Sequence, residues 1–152
     1  MQITLKEYHQ MAAVGVLIPD DRVELLDGCL DPSRKKTPPR VYSKCCLQEL
    51  LIPLVEPEWH VGIYAPVTMD TSEPEPDITV IDGAIDRYGS RHPSPSEIGL
   101  TIEVEDGDWP QLDPKVAVYA RGGLTPLWVV RLRENRVDVY TEPVTGDGGG
   151  AY

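Results

Sequence analysis

Three acidic residues stand where short β-rich runs begin or end. Asp77 follows Pro76 at the start of the run through Ile81, and Glu103 and Glu105 close a run that starts at Leu100. Side chains alternate along a strand, so Glu103 and Glu105 share a face, and a neighbouring strand carrying Asp77 brings three carboxylates together. Such a group repels itself. A hard divalent cation with oxygen ligands, Mg²⁺ or Mn²⁺, relieves that repulsion. Lys115 comes ten residues after Glu105 on the first turn of a helix, with Tyr119 one turn further along the same face. From there the ammonium can reach back over the strand end, to position or deprotonate a metal-bound water and to neutralise charge on a phosphate. As a first-turn residue it is expected to be partly exposed, so that truncation to alanine costs less than about 0.5 kcal/mol.

Charge is divided unevenly along the chain. Arg34, Lys35, Lys36, Arg40 and Lys44 lie in one stretch without an acid, whereas residues 73–113 hold eleven acids against Arg87 and Arg91. The basic stretch suits the phosphates of a nucleic acid, with an affinity that falls steeply with salt, and it suits equally well an ordinary solvated loop. The net charge of −11 over 152 residues repels polyanions as a whole, which argues against a protein that coats DNA. It does not argue against a nuclease, because bound cations invert the local field of a carboxylate cluster.

Other chemistries find no footing. Cys29, Cys45 and Cys46 form no CxxC pair, and His9, His60 and His92 lack metal-ligand spacing, so a zinc site or a disulfide framework is not expected. There is no GxGxxG or Walker-type loop and no Gly-x-Ser-x-Gly elbow. The first ten residues lack a basic region followed by an apolar one, and no apolar run approaches the roughly 20 residues of a membrane span. The expected location is cytoplasmic.

The elements that must position these residues follow from local signals. Thr4 and Glu7 form a capping box, so a helix starts at Leu5. Val23 to Leu26 reads as a strand ending at the Asp27-Gly28 turn, and the proline-rich, charged stretch from Asp31 to Arg40 as an exposed connection. Val41 to Leu51 has a helical pattern, with Tyr42, Cys45, Cys46 and Leu50 on one face and Lys44 and Gln48 opposite. Strands are expected over Val61 to Val67, Asp77 to Ile81 and Leu100 to Val104, then a helix from Pro114 to Arg121. Leu127 to Leu132 and Val137 to Tyr140 flank a hairpin turn at Glu134-Asn135. The order predicts an α/β fold with a mixed central sheet flanked by helices, in which the helix ending at Arg121 is one βαβ crossover. Residues 1–144 are expected to form a single domain, and residues 145–152, rich in glycine, a flexible tail without packing partners.

The Pro76-Asp77 strand, the Ile102-Glu103-Val104 strand, the run from Lys115 through Tyr119 to Gly123 and the following Leu127-Trp128-Val129-Val130 resemble the Uma-type endonucleases. These are a branch of the restriction-endonuclease-like PD-(D/E)XK superfamily. Arg22-Val23-Glu24-Leu25-Leu26-Asp27-Gly28 is similar to the end of that family's first strand. The resemblance implies Asp77 and Glu103 as metal ligands joined by the backbone carbonyl of Val104, Lys115 as a helix-borne catalytic lysine, and Glu24 as an accessory acid. It implies nucleic acid, DNA foremost, as substrate, with no membrane partner and with a homodimer left open. Glu105, here assigned as accessory, stands where the wider superfamily places a lysine, Arg40 where relatives often carry histidine, and Gln111 where they carry an acid. These departures keep a second reading open, a nuclease-like fold that acts as a binding or assembly module without catalysis.

Overall fold

The computed structural model of the protein describes residues 2–21, 23–32, 36–107, 112–146 and 149–152. Helix α1 (Leu5–Ala13) begins where its capping box dictates: the Thr4 side chain accepts the Glu7 N–H, and the Glu7 carboxylate accepts the Thr4 N–H at 2.8 Å. Strands β1 (Val23–Leu26) and β2 (Cys29–Pro32) form a hairpin with Leu26 opposite Cys29. Its two turn residues, Asp27 at φ 49° and Gly28 at φ 73°, both occupy the left-handed region that a tight hairpin of this twist requires. Because β1 continues through the bridge between Leu25 and Glu73, Glu24 is carried into the body of the protein.

Helix α2 (Pro38–Leu51) starts with proline in its first turn, where the missing N–H costs nothing. Its buried face is not the one that carries most of its apolar residues. Tyr42, Cys45, Cys46 and Leu50 are exposed, whereas Arg40, Lys44 and Leu51 are buried, with Leu47 packed beside Leu51. Apolar periodicity does not mark this side, because the inner face begins with two cations that pair with a buried carboxylate and only then becomes leucine. Arg40 therefore belongs to no exposed connection.

The central sheet has five strands in spatial order β3 (Trp59–Ile63), β4 (Ile78–Asp82), β5 (Ile98–Glu105), β6 (Leu127–Arg131) and β7 (Arg136–Tyr140). Neighbours are antiparallel except β5 and β6, which are parallel and joined by α3 (Leu112–Arg121), the expected crossover. The turn between β6 and β7 carries Asn135 at φ 48°. Apolar residues cover both faces: Ile78, Val80, Leu100 and Ile102 pack with Leu51 on one, and Leu127 and Val129 with Leu112 and Tyr119 on the other. Being sandwiched in this way, β5 is buried at every position but Gly99. The chain end also differs from expectation. Strands β8 (Val144–Gly146) and β9 (Gly149–Ala151) pair, a Cβ on Gly150 would collide with the Ala117 carbonyl of α3, and the Tyr152 hydroxyl donates to the Leu124 carbonyl. Glycine is what lets this hairpin approach the helix backbone so closely. Among the described residues, no helix is long and apolar enough to cross a membrane.

Candidate functional site

The antiparallel register Ile78↔Ile102 sets Asp77, one residue before β4, beside Glu103 of β5, so the two carboxylates lie at neighbouring strand ends as their spacing suggests. Four further side chains meet them from three other elements. Glu24 comes from β1, Arg40 and Lys44 from α2, and Lys115 from the first turn of α3, and all six side chains are at most 5% exposed. Three carboxylates and three cations thus balance one another in a site that water scarcely reaches. Burial of charge on this scale is tolerated only where each group is paired and hydrogen-bonded.

The pairing divides into two halves. In the first, Lys115 Nζ lies 2.9 Å from Glu24 Oε2 and 3.0 Å from Glu103 Oε1, and donates to the Glu75 carbonyl at 3.1 Å. Tyr119, one turn along α3, donates to Glu103 Oε1 at 2.5 Å, while Glu24 also accepts the Glu75 N–H at 2.8 Å. In the second half, Arg40 Nη2 donates to both oxygens of Asp77 at 2.8 and 3.0 Å, and Lys44 Nζ to Oδ1 at 3.2 Å. Val104 closes the circuit: its N–H donates to Asp77 Oδ2 at 2.8 Å, and its carbonyl accepts Arg40 Nε at 3.0 Å. Lys44 further donates to the Tyr64 hydroxyl and sits 3.9 Å from the centre of that ring.

Protonation follows this geometry. Burial alone would raise the Asp77 carboxyl, but Arg40, Lys44 and the Val104 N–H outweigh it and hold it below the usual carboxylate range. Glu103 goes the other way, to about 7, because complete burial together with Asp77 and Glu24 outweighs the single ammonium of Lys115. Burial would lower Lys115, yet Glu103 and Glu24 together carry it above its ordinary value. Both partners of the Lys115–Glu103 pair rise for one reason: a single lysine serves two carboxylates, which favours its own charge and leaves Glu103 only part of the compensation. Lys44 falls below its ordinary value, since burial exceeds the attraction of Asp77.

The cluster lies on a groove of about 1340 Å³, lined by Glu24, Arg40, Asp77, Glu103 and Lys115 together with Tyr8 and His9 of α1, Lys36, Tyr64, Arg91 and His92. His9 Nε2 meets Glu73 Oε1 at 2.9 Å, and Thr68 donates to the same carboxylate at 2.7 Å. This second polar contact was not legible in the scattered histidines, because it depends on how α1 crosses the strand connections.

The expected site residues therefore converge in part. Asp77, Glu103, Lys115, Glu24 and the Val104 carbonyl come together as their motifs imply. Glu105 shares the Glu103 face but turns to other partners, accepting the Gly107 N–H at 2.6 Å and lying 3.8 Å from Arg131. The basic stretch does not form one surface. Arg40 and Lys44 point inward, Lys36 is exposed with its ammonium 4.7 Å from the centre of the Tyr64 ring, and Arg34 and Lys35, like Gln111, lie outside the described residues. Lys115 is buried, so its truncation cannot be neutral.

The implied ligands do not fit a divalent cation as they stand. Both Asp77 oxygens and the Val104 carbonyl are engaged by Arg40, and Glu103 by Lys115 and Tyr119. Among the described residues, no group of three or more His, Cys, Asp or Glu side chains is placed to hold a metal ion.

A family model described as "Uma2: Putative restriction endonuclease" matches residues 5–149. In fold the chain is similar to the crystal structure of "a putative nuclease belonging to DUF820" from Anabaena variabilis, with a TM-score of 0.71 and 16% identity over 91% of this chain and 79% of that chain. No curated protein matches the chain.

Proposed function

The chain belongs to the Uma2 family of putative restriction endonucleases, and on this basis we propose that it is a nuclease whose groove takes the sugar–phosphate backbone of a nucleic acid. The observation that carries this reading is the buried cluster on the groove, which joins hydrogen-bond donors for a phosphate to acceptors for a proton. Arg40 and Lys115 place positive charge at the floor of the groove, and Glu103, drawn up to about 7, is the carboxylate suited to exchange a proton with an attacking water. Lys36 and Arg91, on the groove wall, suit the flanking phosphates. A volume above the roughly 300–1,000 Å³ of a small-molecule pocket suits a segment of polymer. On this proposal the chain, including its β8–β9 hairpin, is one PD-(D/E)XK-type domain acting in the cytoplasm on nucleic acid, DNA foremost. It assigns no step to Mg²⁺ or Mn²⁺, because the ligands are already engaged.

The charge balance of the same cluster favours a second reading, a nuclease-like fold that binds nucleic acid without cutting it. Fluorescence anisotropy with labelled DNA and RNA strands separates both from a protein with no nucleic-acid role. Binding should weaken with salt, and Lys36→Glu should weaken it further and flatten the slope of log affinity against log salt. No binding at low salt would dismiss both readings.

A further inference from the structure

We infer that the guanidinium of Arg40 is the resident cation of this site, filling the position where the sequence motifs imply a divalent metal ion, so that the groove holds nucleic-acid phosphate without one. The inference rests on the nuclease reading for its ligand alone; the identity of the cation stands on the geometry. Nε and Nη2 lie on one edge of the guanidinium, and that edge spans three oxygens: Asp77 Oδ1 at 2.8 Å, Asp77 Oδ2 at 3.0 Å and the Val104 carbonyl at 3.0 Å. These are the Asp77 and Val104 ligands of the implied metal, gathered on one side chain instead of one ion. A planar fork with fixed donor directions matches such a set.

The fold holds this arrangement from several sides. Arg40 lies in the first turns of α2, where Pro38 starts the helix, and its side chain is 4% exposed. Lys44, one turn on, places a second cation 3.2 Å from Asp77 Oδ1. A divalent ion entering beside Asp77 would face both cations at one carboxylate. It could bind only by driving Arg40 off, which would leave a buried guanidinium without its partner. On the Glu103 side, Lys115 and Tyr119 take the remaining ligand positions. Arg40 also lines the groove, so its charge contributes to the field met by a phosphate bound there.

The test is calorimetric titration of the full chain with MnCl₂ alone, paired with Arg40→Gln, which keeps a donor for Asp77 but removes the charge. The expected result is no saturable heat and no Mn²⁺-dependent rise in Tm for the wild type, with one Mn²⁺ site gained in Arg40→Gln. If that variant does not fold on its own, recovery of the fold in MnCl₂ reports the same gain. A wild type that binds Mn²⁺ in a manner lost on Asp77→Asn would overturn the inference, as would an Arg40→Gln variant as inert as the wild type. Nucleic-acid affinity should be no weaker in EDTA than in MgCl₂ at matched ionic strength, since Mg²⁺ competes for the phosphates, and a loss of tenfold or more in EDTA would also overturn it. Absence of nucleic-acid binding in both would sink the nuclease reading, with the Mn²⁺ titration still deciding the cation.

Discussion

Replacing Lys115 by alanine removes the ammonium that, among the described residues, lies against both Glu24 and Glu103, and so tests the cluster at its most heavily shared member. The two carboxylates lie 2.9 and 3.0 Å from Nζ and are 3% and 1% exposed, so neither is rescued by solvent. Removing one partner of a buried pair costs about 3–5 kcal/mol, mostly through the charge left uncompensated. Glu103, already drawn up to about 7, can take a proton and relieve part of that cost, which sets the expectation near the lower end, about 3 kcal/mol. For a chain of this length that corresponds to a fall in Tm of roughly 6–12 °C. The assay is urea unfolding of wild type, Lys115→Ala and the double variant Lys115→Met with Glu103→Gln. The midpoint should drop in the single variant with an unchanged slope, and the double variant, which removes a charge from each side, should recover part of the loss. A change below about 0.5 kcal/mol in Lys115→Ala, the value for an exposed first-turn lysine, would refute the reasoning.

Tyr119→Phe should cost about 1–3 kcal/mol by chemical denaturation, since it removes the hydroxyl that donates to buried Glu103 and leaves the packing in place. Glu97→Gln should lower Tm at pH 7 by an amount that shrinks as the pH falls below 4.5. Arg91, with the Ser94 N–H, holds the folded-state pKa of Glu97 below that ordinary value, so its contribution is complete above the unfolded pKa and is lost as pH falls through the folded one. Deleting residues 144–152 should lower Tm by several degrees, because the hairpin of β8 and β9 and the Tyr152 hydroxyl pack on α3 and Leu124; an unchanged Tm would mean that the segment contributes nothing. Gly62→Ala should destabilise by about 1–3 kcal/mol, as its Cβ would meet both Ile81 Cδ1 and Thr79 Oγ1 at 2.8 Å.

Where a local signal settles an element, the sequence was readable. The Thr4–Glu7 box, the Asp27-Gly28 turn and the parallel β5–α3–β6 unit all stand where spacing and turn chemistry put them. The convergence of Asp77 with Glu103 and Lys115 was readable for a related reason: strand ends and a helix start leave those side chains few directions. What was hidden depended on partners distant in sequence. Arg40 and Lys44 look like surface residues beside Tyr42 and Cys45, and only Asp77, brought across from another element, makes their burial tolerable. Lys115 looks exposed until Glu24, 91 residues away, is known to lie against it. The hairpin after Val144 was hidden because glycine carries no hydrophobic pattern; its contribution is a close backbone approach to α3.

Hydrolysis itself offers the most direct measurement. End-labelled single- and double-stranded DNA and RNA pools, incubated with wild type and with Asp77→Asn and resolved on a denaturing gel, report phosphodiester cleavage without assuming a target sequence. The nuclease reading predicts shortened strands with the wild type and a rate at least ~100-fold lower with Asp77→Asn, the scale of losing the electrostatic group that holds Arg40 and Lys44 in place. Strands left intact by a wild type that still binds them would contradict it, and would assign the groove to recognition alone.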